Sequence, residues 1–467
     1  MGEFSAVILA AGEGTRMKSN TPKVLHKICG YPMLHYVINC ARGAGADEIV
    51  VVVGRGAEEV KKAFENENVK FVLQPEQKGT GHALMQAEEE VKGSKYIMVL
   101  YGDMPLIKPE TLKNLFNFHI ENQPAATVLT CEFDNPYGYG RIIKKEGRVV
   151  AIREEKDAKK EEKLIKEINS GIYCFETEKV FSALKNVKNE NRQGEYYLTD
   201  VVEIFNNEGE KVLAFKIENP DEVHGINDRV QLAKARAIMQ KEIVENLMKD
   251  GVTFINPESC VVDAGVKIGR DTVIYPGAVI EGKTQIGESC LILGNSVIRD
   301  SKIGNNVEIL SSFVVESEIG DGVKIGPFAN LRPGTRLSSH VKIGDFVEVK
   351  NSTVGEGTKI PHLSYVGDAE IGAGVNIGAG VIFVNYDGYK KHKTVVQDNA
   401  FIGCNSNLIA PLKIEEGAYV AAGSTLTKDV PGKALAIARA KQENKPGWVE
   451  KRKKIFEGGK TNGGEQA

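Results

Sequence analysis

Residues able to do chemistry fall in two groups along this chain of 467 residues. The first group begins with Leu9-Ala10-Ala11-Gly12-Glu13-Gly14-Thr15-Arg16-Met17, a glycine loop carrying an arginine. Small residues let a nucleotide come close to the backbone, and the loop amides with Arg16 neutralise phosphate oxygens. Lys23, in Thr21-Pro22-Lys23, adds a second cation. Gln74-Pro75-Glu76-Gln77-Lys78-Gly79-Thr80-Gly81-His82-Ala83 is a second glycine-rich polar loop, and Tyr101-Gly102-Asp103-Met104-Pro105 sets a carboxylate directly after an apolar run. Nucleotidyl transfer needs cations around the polyphosphate, and Mg2+ prefers oxygen ligands. A glycine loop alone is weak evidence, since a plain strand–helix turn looks the same. The combination points to a nucleotide polyphosphate.

The second group is Arg332, Lys350 and His362. Arg332 and Lys350 are separated by three hexapeptide units, and His362 follows two units later. On a coil made of three such units the two cations stack and form a phosphate clamp. An amine attacking a thioester must shed a proton, and an imidazole poised near neutral pH suits that task. A lone histidine is more often a structural hydrogen-bonder, but its place beside two cations favours the catalytic reading.

Two kinds of element must position these groups. Up to about residue 230, short apolar runs alternate with amphipathic stretches. Strands are expected at 6–11, 48–53, 69–73 and 96–100, and helices at 33–43, 57–66 and 81–92, with Leu34, Val37, Ile38 and Ala41 on one stripe. This alternation predicts an α/β, Rossmann-like domain with a mostly parallel sheet, whose ligands sit beyond the carboxyl ends of the strands. A long helix follows over 228–249. Beyond it aliphatic residues recur every six positions, as in Ile268, Ile274, Ile280 and Ile286, or Ile319, Ile325, Leu331, Leu337, Ile343 and Val349. This hexapeptide repeat predicts a parallel β-helix of the left-handed kind, with three flat sides per coil. The repeat is broken between Asn385 and Val395, where an insertion maps to a projecting loop. The expected divisions are 1–227, a linker helix at 228–250, a β-helix at 251–432, and an extension at 433–467 with a basic helix near 446–456 and a polar tail from Gly458.

Composition sets bounds on partners. The net charge is −3, with 60 Lys plus Arg against 63 Asp plus Glu, so nothing suggests nucleic acid or an anionic membrane as partner. Seven cysteines, none spaced C-x-x-C, argue against a disulfide framework and for a reducing compartment. The start lacks a basic leader and no stretch is long and apolar enough to span a bilayer, so a soluble cytoplasmic protein is expected. The 49 glycines and single Trp fit phosphate loops and solenoid corners around an aliphatic core.

The opening L-A-A-G-x-G-T-R-M resembles that of the sugar-1-phosphate nucleotidyltransferase family without a departure. Tyr139-Gly140-Arg141, Glu154 with Lys156-Asp157-Ala158, Ile168-Asn169-Ser170-Gly171 and Gly194-Glu195-Tyr196-Tyr197-Leu198-Thr199-Asp200 match its uridylyltransferase branch. With the solenoid included, residues 4–450 resemble the bacterial bifunctional N-acetylglucosamine-1-phosphate uridylyltransferase/glucosamine-1-phosphate acetyltransferase family. The resemblance implies acetyl transfer from acetyl-CoA to glucosamine 1-phosphate, then uridylyl transfer from UTP with release of pyrophosphate. The product, UDP-N-acetylglucosamine, feeds peptidoglycan and, where present, lipopolysaccharide.

The same resemblance implies roles. Leu9, Ala10, Gly12, Gln74, Gly79 and Thr80 would hold the uridine, with Arg16 and Lys23 on the triphosphate. Asp103 and Asn227 would ligate Mg2+, and Tyr101, Gly138, Glu154, Asn169 and Asn227 would line the sugar-phosphate site. In the solenoid, Arg332, Lys350, Tyr365, Asn376 and Lys391 would hold the amino-sugar phosphate around His362. Ala379, Cys404, Ala422 and Arg439, with Asn385 and Tyr386 of the insertion, would contact acetyl-CoA. Cys404 departs from the family's usual serine; a thiol donates hydrogen bonds weakly, and it is read as a tolerated small residue, not an acyl carrier. The flat solenoid faces suggest a homotrimer. Two other readings stay open: a single-activity nucleotidyltransferase whose solenoid only assembles, against which His362 and its cations argue, and a non-enzymatic protein on the same plan, against which Arg16, Lys23 and Asp103 argue.

Overall fold

The computed structural model describes residues 4–458; the expected polar tail beyond Gly458 lies outside them, as does the start of the segment read as having no leader. The chain divides into two compact units, Met1–Asp250 with Val261–Val266, and Gly251–Cys260 with Lys267–Ala467.

The first unit is built on a mostly parallel sheet. Its strands run in the spatial order Val212–Ile217, Ala126–Glu132, Glu167–Glu176, Tyr96–Tyr101, Phe4–Ala10, Glu48–Val53 and Lys70–Leu73. Only Glu167–Glu176 runs antiparallel to its two neighbours in this order. Every residue of Phe4–Ala10 is buried, as an apolar strand covered on both faces should be. Alternation sends Ala6, Ile8 and Ala10 into one core with Leu34, Val37 and Ile38. Val7, Leu9 and Ala11 enter the other with Ala83 and Leu84.

The helix at Met33–Gly43 is as expected, while two others are shorter than the periodicity predicts. Helix Ala57–Ala63 stops where Phe64 turns into the core with φ −122°. The expected helix over 81–92 is two pieces, Thr80–Met85 and Glu88–Val91. Between them the Gln86 side chain bonds the His82 carbonyl at 3.1 Å, and the Ala87 amide closes a tighter turn on Leu84. Helix Arg229–Lys249 starts on Asp228, whose carboxylate accepts from the Gln231 amide at 2.8 Å.

The second unit is a left-handed parallel β-helix, its short strands stacked coil upon coil into parallel sheets. Ile274, Ile292, Ile309, Ile325, Ile343, Ile360, Ile377, Ile402 and Val420 form one inward column, each buried. The coils are not uniform in length. A full three hexapeptides separates Lys324 from its partner Lys342. The coil is one residue shorter from Leu291 to Glu308 and from Lys342 to Lys359, and two shorter from Glu308 to Lys324. The corners account for the difference. Between Glu281 and Gln285 the chain turns in three residues, whereas between their partners Arg299 and Lys302 it turns in two. Asp300 makes that tighter corner in the left-handed region, at φ 48°. The insertion makes the coil from Asn376 to Phe401 the longest in this column. A short helix, Trp448–Gly458, follows the solenoid.

Candidate functional sites

In the first unit the strand register brings the two loops together. Leu9 pairs with Tyr101, and the Gly102 amide bonds the Leu9 carbonyl at 3.0 Å. The glycine loop and Asp103 thus leave neighbouring strand ends side by side, where ligands of such sheets bind. There a cleft of about 600 Å³ is lined by Leu9, Ala10, Gly12, Lys23, Gln74, Gly79, Thr80, Tyr101, Asp103 and Asn227 among others. Gln74 is buried and donates to the Gly79 carbonyl at 3.1 Å. Gly79 sits at φ 106°, where a Cβ would fall 2.6 Å from the Tyr196 carbonyl. Only glycine fits that close approach, which ties this loop to the segment around Glu195.

Asn227 is fixed from both sides. The Ile226 amide bonds the Asp103 carbonyl at 3.0 Å, and the Asn227 amide donates to Gln231 Oε1 at 2.7 Å. The Lys23 ammonium donates to Asp103 Oδ2 and, at 2.9 Å, to Asn227 Oδ1. Two oxygen donors therefore converge on one cationic point, and a hard carboxylate–amide pair suits Mg2+, which takes its other ligands from water and phosphate. Among the described residues no cluster of three or more His, Cys, Asp or Glu forms an all-protein metal cage.

The expected sugar residues lie beside this cleft. A Cβ placed on Gly140 would approach Glu154 Oε1 to 3.3 Å and Asn169 Cβ to 3.5 Å, so Glu154 and Asn169 flank Gly140. Gly138 is exposed, with nothing within 4 Å of its Cβ direction. Arg16 is exposed on the turn Thr15–Met17 and is not among the lining residues. The Tyr101 ring lies against Gly171, and its hydroxyl is held above the ordinary tyrosine range by burial and by the Glu154 carboxylate. Burial, reinforced by Asp200, Asp157 and Glu195, pushes the Glu154 carboxyl up to about 7. Burial likewise pushes Asp200 up to about 6. In the sequence Asp200 and Glu195 stand only within the motif over 194–200; their approach to Glu154 bridges a long stretch of chain and leaves no local signal.

In the second unit the expected residues form columns. Asp345 pairs with His362 on the next coil, and their side chains are hydrogen-bonded between His362 Nδ1 and Asp345 Oδ1. Following the register, the column continues through Ala379, Cys404 and Ala422, with the Asn405 amide on the Ala379 carbonyl at 2.7 Å and the Gly423 amide on the Cys404 carbonyl at 2.8 Å. The histidine heads a stripe of small side chains down one corner of the prism. Arg439 flanks its far end, its Cδ 3.9 Å from the Cβ direction of Gly423. The sequence does not single out Asp345, because a coil one residue short is not evident from a six-residue period.

One side of the prism away, Arg332 and Lys350 occupy stacked positions, the Arg332 amide bonding the Val349 carbonyl. The Arg332 guanidinium, however, is engaged by Glu348 at 2.7 Å. The closer cationic neighbour of Lys350 is Lys391 of the insertion, which holds the Lys350 ammonium below the ordinary lysine range. Two adjacent ammonium groups favour an anion between them. The Asp368 carboxylate accepts from Asn351 at 2.6 Å and from the buried Asn385 at 2.5 Å. Asn385 also reaches the Tyr365 hydroxyl at 3.4 Å. The insertion is a small hairpin in which Tyr386 bridges to Lys391. Asp387 clips it by accepting from the Tyr389 and Lys390 amides at 2.8 Å and from His392 at 2.6 Å. Asn376 lies on the neighbouring side, paired with Lys359.

A nucleotide cleft at the strand ends of an α/β sheet, together with an aspartate-braced histidine on a hexapeptide-repeat β-helix, defines a nucleotidyltransferase carried on one chain with an acyltransferase. Residues 6–171 match the MobA-like NTP transferase domain. The chain is 53% identical to the bifunctional protein GlmU of Alkaliphilus metalliredigens over 451 residues, 96% of this chain and 99% of that one. It is 54% identical to the GlmU of Caldanaerobacter subterraneus (97% and 99%) and 50% identical to that of Listeria monocytogenes (96% and 99%). The chain belongs to the bifunctional GlmU family. It is a bifunctional enzyme of UDP-N-acetylglucosamine synthesis, transferring acetyl from acetyl-CoA to glucosamine 1-phosphate and then uridylyl from UTP to N-acetylglucosamine 1-phosphate.

Proposed function

We propose that each activity belongs to one unit and assign the residues that carry it. The first unit performs uridylyl transfer. Leu9, Ala10, Gly12, Gln74, Gly79 and Thr80 hold the uridine; Arg16 and Lys23 take the triphosphate; and Tyr101, Glu154 and Asn169 hold the sugar phosphate, whose oxygen attacks the α-phosphorus as pyrophosphate departs. Gly138 and Asn227 complete that set. Asp103 and Asn227 would hold Mg2+, which when bound supplies charge neutralisation at the phosphates. Positioning and electrostatics account for the acceleration without a covalent intermediate.

The solenoid performs acetyl transfer. Asp345 holds Nδ1–H of His362, so Nε2 takes the proton from the amine as its nitrogen attacks the thioester carbonyl carbon. The C–S bond then breaks and the coenzyme A thiolate leaves, taking up that proton. Ala379, Cys404 and Ala422 leave a groove for the acetyl-CoA arm, ending near Arg439, with Asn385 and Tyr386 beside it. Arg332, Lys350, Tyr365, Asn376 and Lys391 hold the amino-sugar phosphate.

The observation supporting this division is that each unit holds a separate grouping of charged and polar side chains, Asp103 and Asn227 around Lys23 in one and the Asp345–His362 pair in the other. Replacing Asp103→Ala and His362→Ala separately tests it. Each variant is expected to lose one activity and retain the other; loss of both from either change, or unimpaired acetyl transfer in His362→Ala, overturns the division.

The acting form is a homotrimer assembled through the β-helix. Phe328 and Phe346 stack in the open at 5.3 Å between ring centroids, with exposed Leu363 on the next coil. This apolar ridge runs beside Asp345 and His362 and would be covered by a second copy. Light scattering should return three times the chain mass. The workplace is the cytoplasm, which suits a chain whose cysteines are all free. Among the described residues no helix is long and apolar enough to cross a membrane.

A further inference from the structure

Lys23 does two things that cannot be done at once. It is the cation assigned to the triphosphate, yet its ammonium lies on the two oxygens assigned to the metal, Asp103 Oδ2 and Asn227 Oδ1. The pair is not a loose surface contact, since both side chains are more than four-fifths buried, at 14% and 13% exposure. Its partners are also held rigidly. Asn227 Nδ2 is turned toward the Gly225 carbonyl at 3.4 Å, which leaves Oδ1 facing the lysine, and Asp103 is tied to Ile226 through its backbone. The Lys23 backbone is fixed in the turn Lys23–Leu25, from which its side chain reaches the acidic pair. Its stem passes the glycine loop so closely that a Cβ on Gly14 would fall 2.7 Å from Lys23 Cβ. Rotation of the four-carbon stem about this fixed point moves the ammonium between the acidic pair and the loop where phosphates bind.

We propose that Lys23 is the resident counter-ion of the divalent-cation subsite and that it makes metal and nucleotide entry mutually dependent. The inference rests on the assignment of Asp103 and Asn227 as metal ligands. In the resting enzyme the ammonium neutralises Asp103, so a divalent ion arriving alone must displace a buried cation from its carboxylate with no phosphate in the loop to receive it. The polyphosphate changes this balance. Its negative charges receive the ammonium as Lys23 swings away, and the two freed oxygens become available. By linkage the nucleotide strengthens metal binding by the same factor as the metal strengthens nucleotide binding. Lysine suits the role because its compact charge sits on a flexible stem, unlike the planar fork of arginine.

Mn2+ serves as the probe, with free ion followed by electron paramagnetic resonance on the full-length protein, with and without UTP. In Lys23→Met, which keeps the apolar stem, Mn2+ is expected to bind the nucleotide-free protein ~10-fold more tightly than in the wild type, within the usual span of coupling between ligands. The gain in Mn2+ affinity on adding UTP should shrink correspondingly. Arg16→Met removes the same charge from the exposed turn nearby and is expected to shift nucleotide-free Mn2+ binding less than ~3-fold, since it leaves the acidic pair occupied. Lys23→Gln, should the Met variant fold poorly, must move in the same direction. Equal shifts in the Lys23 and Arg16 variants, or none, overturn the proposal. Asp103→Ala separates it from the assignment beneath: if Mn2+ binding with UTP survives that change, the metal site itself is misplaced, whereas its loss alongside an unchanged Lys23→Met leaves the site standing and rejects only the counter-ion role.

Discussion

His362 and Asp345 face each other across one coil of the β-helix, with the imidazole Nδ1 on the carboxylate. The hydrogen bond to His362 is the main cause holding the Asp345 carboxyl below the ordinary aspartate range. A carboxylate at Nδ1 fixes the proton there and leaves the Nε2 lone pair for the substrate amine. The pair stands at the head of a stripe of small residues, so on the proposed assignment His362 would meet the thioester end of an acetyl-CoA arm lying along Ala379, Cys404 and Ala422.

Replacing Asp345→Asn is therefore expected to lower kcat for acetyl transfer by ~10²-fold, at the lower end of what general-base assistance contributes. The amide preserves size but no longer selects the productive tautomer. The KM for glucosamine 1-phosphate should change little, because Asp345 is a positioning residue, and uridylyl transfer should be unaffected. Mass-spectrometric counting of acetylated product measures this. A variant with wild-type kcat and an unchanged pH profile would show that His362 needs no orienting partner.

How much of this was legible in the sequence turns on one missing residue. The six-residue period placed the inward aliphatic column and the stacking of Arg332 on Lys350, where the coil is a full three hexapeptides. Carried one coil on, that same count sets His362 opposite Gly344. The corner after Lys350 is one residue shorter than the corner after Arg332, as the pairing of Arg336 with Thr353 shows. This deletion slides His362 onto Asp345. Corner length is set by whether a residue such as Asn351, at φ 45°, accepts the left-handed conformation, and no periodicity announces that. The α/β half was legible for a different reason: glycine loops and buried parallel strands are local signals. Of the acidic groups around Glu154, Asp157 is a near neighbour in sequence, whereas Asp200 and Glu195 come from a distant segment and are brought in by tertiary packing.

Cys404 is the exposed cysteine among seven; the other six are buried. It lies two coils from His362 in the same column, on the order of 10 Å away. N-ethylmaleimide is expected to modify Cys404 first and to abolish acetyl transfer by filling the groove, while uridylyl transfer persists. Acetyl-CoA present during labelling should protect, and Cys404→Ser should be both active and resistant. Peptide mapping with parallel assays of the two activities decides it; a fully labelled protein that still acetylates would remove the groove from this corner.

Gly171 occupies φ 87°, and a Cβ there would fall 2.7 Å from the Tyr101 ring. Gly171→Ala meets two obstacles: left-handed backbone, costing ~1–2 kcal/mol in an L-residue, and displacement of a packed aromatic side chain. Tyr101 stands between the nucleotide cleft and Glu154, so its shift should raise the KM for N-acetylglucosamine 1-phosphate ~10-fold or more, as a misplacement of about 1 Å at a positioning group does. The KM for UTP should move less, and acetyl transfer should be unchanged. Steady-state kinetics with each substrate varied in turn provides the check, and equal effects on both KM values would contradict the placement of Tyr101 at the sugar end.

The raised carboxyl of Glu154 has a consequence for stability. Its folded value of about 7 lies above the ordinary 4.5 because burial disfavours the charged form. Between those two values the native state keeps a proton that the unfolded chain has released. Stability of the first unit therefore falls as pH rises from about 4.5 to about 7 and levels off above that. Asp200, raised to about 6, contributes in the same direction. At ~1.4 kcal/mol per unit the Glu154 part is on the order of 3 kcal/mol at most. Glu154→Gln, which keeps the shape and removes the titration, should flatten this decline and be more stable than the wild type at pH 8 but not at pH 5. Because two units need not unfold together, amide exchange of the strands Tyr96–Tyr101 and Glu167–Glu176 is the suitable measure. Parallel pH dependences in the two proteins would show that Glu154 titrates at its ordinary value, and the sugar would then be met by a carboxylate throughout the physiological range.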